Sequence, residues 1–265
     1  MSGLIVEGEK ALYWTGARAS LAFMTQLNPL GQPIGDPIHG TFPRPRPERT
    51  LRTGRYCALV PLAIDHAPAL HTAYERAPDG RGWTYLPNGP YESARDYEAW
   101  VAEAVVSRDP LFFTVEDPEG QPMGTCSYLR IAPEAGVIEV GFINFSPLMQ
   151  QSRASTEAMF LMMAHAFDDL GYRRYEWKCD TLNAPSRRAA RRLGFTYEGT
   201  FRQATHYKGR NRDTAWYAML DHEWPAIRAE FVRWLDPANF DANGQQLSRL
   251  EMPERSSDGP PDPSA

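Results

Sequence analysis

The chain has 265 residues, 42% of them hydrophobic and 23% charged, with 28 Lys+Arg against 33 Asp+Glu and a formal net charge of −5. These are soluble globular proportions; the charge excludes a generic nucleic-acid binder, whose affinity rests on clustered positive charge, and the length, at roughly 100–200 residues per domain, allows one large domain or two small ones. Three cysteines, an odd number with no CxxC pair, exclude a disulfide framework and a thiolate metal site and point to a reducing compartment, the cytoplasm.

No run approaches the roughly 18 apolar residues that span a bilayer, and Glu7 and Glu9 precede every basic residue, unlike a secretory leader. Residues 28–47 hold Pro29, Pro33, Pro37, Pro43, Pro45 and Pro47, a composition suited to an extended arm or a linker. Residues 56–60 read as a strand ended by Pro61, followed by a helical pattern over 64–76 and an aromatic, turn-rich stretch over 83–91. Ser93 caps a helix that runs to about residue 106. Three β-type runs at 111–116, 123–131 and 137–143, joined by short turns, predict an antiparallel meander. A helix over 155–170 closes at Gly171, a strand covers 174–179, and Asn183 with Pro185 opens a short helix that stops at Leu193-Gly194. Strands at 196–207 and 214–220 flank a hairpin at Lys208-Gly209-Arg210-Asn211. Trp224, Ile227, Phe231 and Trp234 pack a last helix over 223–235, and the end of the chain reads as a disordered tail.

This order of elements resembles the GNAT superfamily of acetyl-CoA-dependent N-acetyltransferases, and most of all the branch that acetylates the N-terminal amines of ribosomal proteins. The motifs that carry the likeness are Glu139-Val140-Gly141-Phe142, Thr156-Glu157-Ala158, Leu170-Gly171-Tyr172, Asn183-Ala184-Pro185-Ser186 and Leu193-Gly194-Phe195, in that order. The resemblance implies an α/β (α+β) fold: a mixed, mostly antiparallel sheet with splayed central parallel strands and flanking helices. It implies a Pro-rich extension over 1–52, an acetyltransferase domain over 53–222, a C-terminal helix and extension over 223–250 and a tail over 251–265.

It also implies a cofactor site. The acetyl-CoA pyrophosphate would lie on Gln150, Gln151, Ser152, Arg153, Ala154 and Ser155, before Thr156, because exposed N–H groups and the positive end of a helix bind anions. Arg153 stands where the family prefers Gly, and either obstructs an N–H or adds a guanidinium to the phosphates. The pantetheine would pair with strand 137–144, including Phe142 and Ile143, with Gly141 giving close approach. Asn183 and Ser186 would reach its amides and sulfur, although both are equally suited to capping a helix. Arg187, Arg188, Arg191 and Arg192 are the candidates for the 3′-phosphate. Residues 173–212 hold 11 basic and 3 acidic side chains, so the net charge conceals a segment of +8.

Direct acetyl transfer needs a neutral amine, a route for its proton and stabilisation of the departing thiolate. Glu139 matches the family's strand glutamate and is the candidate general base, acting through water. The tyrosine that often serves as the acid is replaced by Ala190, which leaves Ser186, Cys179 or water. Trp83, Tyr85, His206 and Tyr207 are the candidate acceptor residues, with Tyr91, Trp216 and Tyr217 also at the mouth and Asp213 and Glu176 able to attract a cation or pair with nearby arginines. His165 reads as structural, and no histidine spacing fits a metal. The expected partners are acetyl-CoA and a primary amine, without membrane or nucleic acid, and the arm and last helix could each cover a second subunit of a homodimer. Two other readings are a degenerate CoA-binding protein without turnover and a ribosome- or RNA-associated protein.

Overall fold

The computed structural model describes residues 26–253; the beginning of the extension and the tail beyond 253 lie outside the described residues. Two compact units divide at residue 40. In the first, β1 (Gln26–Leu27) and β2 (Pro33–Ile34) form a small antiparallel ladder, closed where Asn28 Oδ1 accepts the N–H groups of Leu30 and Gln32 at 2.9 and 3.0 Å, the usual self-capping of an Asn turn.

The second unit carries β3 (Arg52–Thr53), β4 (Ala58–Pro61), α1 (Ala67–Glu75), α2 (Ala94–Val106), β5 (Leu111–Glu116), β6 (Pro122–Ala132), β7 (Val137–Phe145), α3 (Arg153–Ala164), β8 (Arg174–Asp180), α4 (Ala184–Arg192), β9 (Thr196–Tyr207), β10 (Arg210–Leu220) and α5 (Trp224–Trp234). Its eight strands line up as β3-β4-β5-β6-β7-β8-β10-β9. Every neighbouring pair is antiparallel except β7 and β8, which run parallel because the α3 crossover joins them. This is the mixed sheet and the meander expected from the sequence. The helix predicted from 155 starts two residues earlier, at Arg153, and its last turn, His165–Asp169, is a π-helix.

Alternation along the strands sorts the core into two layers. Ile138, Val140, Tyr128 and Tyr175 pack with Met159 and Met162 of α3 and Phe231 of α5 on one face. On the other, Leu70 of α1 and Tyr97 and Val101 of α2 cover Phe112 and Phe142. Within this unit the residues before β3 are tied down by Arg44 N–H on the Pro133 carbonyl at 3.0 Å and by Arg49 on the Ser107 carbonyl.

One buried acid ties the first strands to the central helix. Glu157 of α3, 5% exposed, accepts the N–H groups of Arg55, Tyr56 and Cys57 at 2.8, 2.5 and 2.9 Å. Gly54 leaves room for it, since a Cβ there would sit 2.4 Å from Glu157 Oε2. Glu157→Ala strands three buried donors and should lower unfolding free energy by about 3 kcal/mol or more, measured by urea titration, with Glu157→Gln intermediate because an amide keeps one accepting oxygen.

Candidate active site

The two parallel strands stay together only at their start. β7 pairs with β8 from Val137↔Arg174 to Val140↔Trp177 and no further. Beyond that point Lys178, Cys179 and Asp180 pair with β10 alone, so the β8-facing edge of residues 141–145 has no strand beside it. A bulge enforces the divergence: Thr125 pairs with Asn144 and Ser127 with Gly141, leaving Phe142 and Ile143 opposite Cys126. Phe142 has φ +48°, and the extra residue turns its ring to the α1–α2 side, against Phe112 at 5.3 Å between centroids. Gly141 is required here because a Cβ would meet Leu129 Cδ2 at 2.9 Å.

Behind the fork lies the start of α3. Ser152 caps it, its hydroxyl accepting from Ser155 N–H at 3.2 Å and donating to the Met149 carbonyl at 2.7 Å. Ser155 and Thr156 turn their hydroxyls back to the Ser152 carbonyl, and Gln150 reaches the Phe145 carbonyl at 2.7 Å. Gln151, at φ +56°, bends the loop. Its N–H and those of Arg153 and Ala154 have no acceptor among the described residues, a ready anion cradle at the positive end of a helix. Arg153 does not cover these donors: its guanidinium lies over the ring of Tyr56 at 4.3 Å and that of Phe240 at 5.4 Å. Of the four arginines expected at the phosphates, Arg187 is buried and donates to Tyr217 and the Thr181 carbonyl, and Arg192 donates to Thr156 at 3.1 Å. Arg188 is exposed.

Asn183 caps α4, its Oδ1 accepting from Ser186 N–H at 3.2 Å. The Ser186 hydroxyl accepts from the Trp177 indole N–H at 2.9 Å and hydrogen-bonds the Cys179 thiol. Burial pushes the Cys179 thiol up to about 11, which removes it as a thiolate nucleophile.

Glu139, the candidate base, is held in an ion-pair network. Its side chain is 4% exposed and clasped by Arg130 Nη1 at 2.7 Å and Lys178 Nζ at 2.8 Å. Lys178, equally buried, also binds Glu176 at 2.6 Å and lies 3.8 Å above the Trp216 ring. Arg174 continues the chain to Glu176 and to Glu198, so Glu176 is paired and offers no free charge to an amine.

Three of the four predicted acceptor residues, Trp83, Tyr85 and Tyr207, lie in one region. Trp83 packs edge-on against Tyr74 and Tyr91 at 5.2 and 5.4 Å. Its carbonyl takes Lys208 Nζ at 2.7 Å, and Arg210 donates to the Thr84 carbonyl. Tyr85 donates to the Leu182 carbonyl at 3.0 Å, just past the end of β8. Tyr207 donates to Asp180 at 2.8 Å, and burial followed by that bond pushes its phenol up to about 12. Loop 83–91, the β9–β10 tip and the end of β8 thus close around one side of the fork. His206 stands apart, exposed on β9. Tyr217, fully buried beside Tyr197, belongs to the core, and Asp213 is spent on Gln203 N–H and Asn211. His165 sits buried between Asp169 and Arg52. Sequence reasoning missed Asp180 and the pairing of Lys178; its one signal was that Lys178 is one of three lysines in a chain that otherwise uses arginine.

A strand fork beside a helix start with free N–H groups can seat an extended ligand with an anionic end. Accordingly, the acetyltransferase (GNAT) domain family matches residues 57–196, and the chain belongs to that family. A GCN5-related N-acetyltransferase from Brucella melitensis is 48% identical with a TM-score of 0.77, over 78% of this chain and 95% of that one. The uncharacterized N-acetyltransferase YnaD of Bacillus subtilis is 24% identical over 57% of this chain and 87% of its own length. An acetyl transferase of Salmonella typhimurium that modifies the N-terminal serine of a 50S ribosomal subunit protein shares the fold at 22% identity and TM-score 0.54, over 63% of this chain and 96% of that one. Among the described residues no helix is long and apolar enough to cross a membrane and no group of three His, Cys, Asp or Glu side chains could hold a metal.

Lys178→Met would leave two buried carboxylates short of a cation and should destabilise the fold by about 3 kcal/mol. Glu139→Gln should cost less, because Arg130, 60% exposed, returns to water; thermal melts of the two variants make the comparison.

Proposed function

We propose that the chain transfers an acetyl group from acetyl-CoA directly to a primary amine, a protein N-terminus or a small molecule, with both substrates bound together. The observation that carries this reading is the opening of β7 from β8 beyond Val140, with its bare strand edge pointing back to the free N–H groups of Gln151, Arg153 and Ala154. Those residues fit the group: an extended amide arm can pair with the edge of 141–145 while its anionic end takes the helix-start donors. Acetyl-CoA supplies the activated acyl carbon. A bond forms from the amine nitrogen to that carbon, the carbon–sulfur bond breaks, and the sulfur leaves with the electron pair.

This chain's residues manage position and protons. Asn183 and Ser186 stand at the start of α4 beside Trp177 of β8, and in this reading Ser186 passes a proton to the departing sulfur and regains one from water. The amine proton passes through water to Glu139, whose outer ion pair with Arg130 is the one that opens, while Lys178 keeps the carboxylate in place. Residues 53–222 act as the catalytic unit in a cytoplasmic setting, consistent with three free thiols. Binding of CoA without transfer is favoured by one observation, the fully buried Ala190 where a tyrosine acid would stand. The RNA-associated reading loses its motive, because Arg174, Lys178 and Arg187 of the basic segment are spent inside the fold.

Two experiments test this. With acetyl-CoA and a panel of amines, free thiol should be released and Glu139→Gln should lower kcat at least tenfold with CoA affinity unchanged; tight CoA binding with no release for any amine selects the binding-only reading. Arg153 follows Ser152 at φ −103° and ψ 166°, a geometry that accepts proline at the first helical position. Arg153→Pro should therefore weaken CoA about tenfold relative to Arg153→Ala, the loss of a single charge-assisted N–H bond.

A further inference from the structure

The three segments that close around one side of the fork carry an uneven charge. Residues 83–91 hold no charged side chain, 180–182 hold Asp180 alone, and 206–212 hold Lys208, Arg210 and Arg212 without an acid. Asp180 is 5% exposed and engaged at both oxygens, Oδ2 accepting from the Tyr207 phenol at 2.8 Å and Oδ1 from Leu182 N–H at 2.9 Å. The three cations are held by neutral groups. Lys208 and Arg210, both exposed, donate to the carbonyls of Trp83 and Thr84, and Arg212 donates to the Thr214 hydroxyl at 3.2 Å. Among the described residues none of the three forms an ion pair.

These charges share one neighbourhood. The Arg210 guanidinium lies 5.7 Å from the centre of the Tyr207 ring, the charges of Arg212 and Arg210 both act on its phenol, and burial, followed by the charge of Arg210, lowers the Lys208 pKa. The acids that could have drawn in a cation, Asp213 and Glu176, are spent. Asp180 follows Lys178 by two positions on one face of β8, a step of about 7 Å at strand spacing, and Lys178 binds Glu139 at 2.8 Å. The cationic rim therefore begins about two residues' length from the group proposed as base.

We infer that the acceptor carries a carboxylate within a residue or two of its α-amine, met by the rim of Lys208, Arg210 and Arg212, and that polycationic amines are rejected there. A free amino acid and the N-terminus of a chain with Asp or Glu beside it both offer that chemistry. A second cation on the acceptor meets like charge instead. The same field favours the neutral amine that attack requires, and an α-amine, with a pKa of about 8, reaches that form more readily than a lysine amine at about 10.4. The inference rests on the transferase reading for the identity of this side as the acceptor side.

C-terminally amidated Ser-Asp-Ala, Ser-Asn-Ala and Ser-Lys-Ala, free serine, serinamide and spermidine are titrated by calorimetry into the CoA-saturated protein, and each is then tried as acceptor with acetyl-CoA. The Asp peptide should bind, and be acetylated in kcat/KM, about fivefold better than the Asn peptide, as two partly exposed ion pairs allow, with the Lys peptide and spermidine weaker still. A larger advantage of serine over serinamide than of Asp over Asn identifies a free amino acid; the reverse identifies a chain N-terminus. Lys208→Gln combined with Arg210→Gln keeps a donor for each loop carbonyl and removes both charges, so the advantage should fall below about twofold. In the unaltered protein it should shrink as ionic strength rises from about 0.02 M to about 0.3 M. Equal behaviour within both pairs, preference for the Lys peptide or spermidine, or an acid preference that survives the double substitution overturns the inference. Selective binding of the acidic acceptors without transfer to any of them overturns the transferase reading and leaves the rim standing.

Discussion

Two neighbouring parallel strands would ordinarily pair along their whole length, so the structure depends on what holds β7 and β8 together at one end while keeping them apart at the other. The joint is electrostatic. Lys178 of β8 reaches back to Glu139 of β7 where the ladder ends, and sideways to Glu176 of its own strand. Removing an ammonium from water is costly unless it is well paired; here it has two carboxylates and the face of Trp216. The ribbon from Arg130 through Glu139, Lys178, Glu176 and Arg174 to Glu198 alternates in sign and contains three charges of each kind. It crosses the sheet as a neutral strip, exposed at its two ends and buried at Glu139, Lys178 and Glu176.

With the joint fixed, the bulge decides what the opened strand offers. A regular strand would send Gly141 and Phe142 to opposite faces; the extra residue sends both to the α1–α2 side. The ring of Phe142 then closes the aromatic layer of Tyr97, Trp100 and Phe112, and the bare edge is left unpaired. The two sides of the fork acquire different chemistry from one inserted residue. One side has helix-start N–H groups, the other a layer of aromatic rings.

Local pattern was enough for the helices and strands, since Ser93, Ser152 and Asn183 cap where short polar side chains should and β5–β7 are β-type runs bounded by turns. The splay is not written in any local pattern: residues 137–143 read as one uninterrupted strand, and the bulge exists only in the register with β6. The site was legible as far as chain order carried it. Tyr85 and Tyr207 were placed in one neighbourhood by their positions in the fold, while partners such as Asp180 for Tyr207 depend on contacts between distant segments. Net charge misled in the same way. A segment of +8 suggests an open cationic face, yet an arginine's position in the chain does not tell whether its guanidinium faces solvent or is consumed, as in Arg174 and Arg187, by carboxylates and carbonyls inside the fold.

Arg153 resolves the departure from the family loop in an unexpected direction. A long cationic side chain at the first position of α3 could fold over the three free donors and block an anion's approach to them, abolishing the cradle. Stacking on Tyr56 and Phe240 draws it away, and each such contact contributes about 0.5–2 kcal/mol. Phe240 can serve only because the segment after α5 is itself anchored. Asn239 donates to the Trp234 carbonyl at 3.0 Å and accepts from Ser248 N–H at 2.9 Å, and Phe240 packs edge-on against Trp234 at 5.1 Å. Arg192, which reaches Thr156 on the same helix, lies 5.2 Å from the Trp234 ring. The C-terminal segment therefore bears on the start of α3: Phe240 supplies part of the aromatic surface that draws Arg153 aside, and so preserves backbone donors that a bulky residue at that position would otherwise hide.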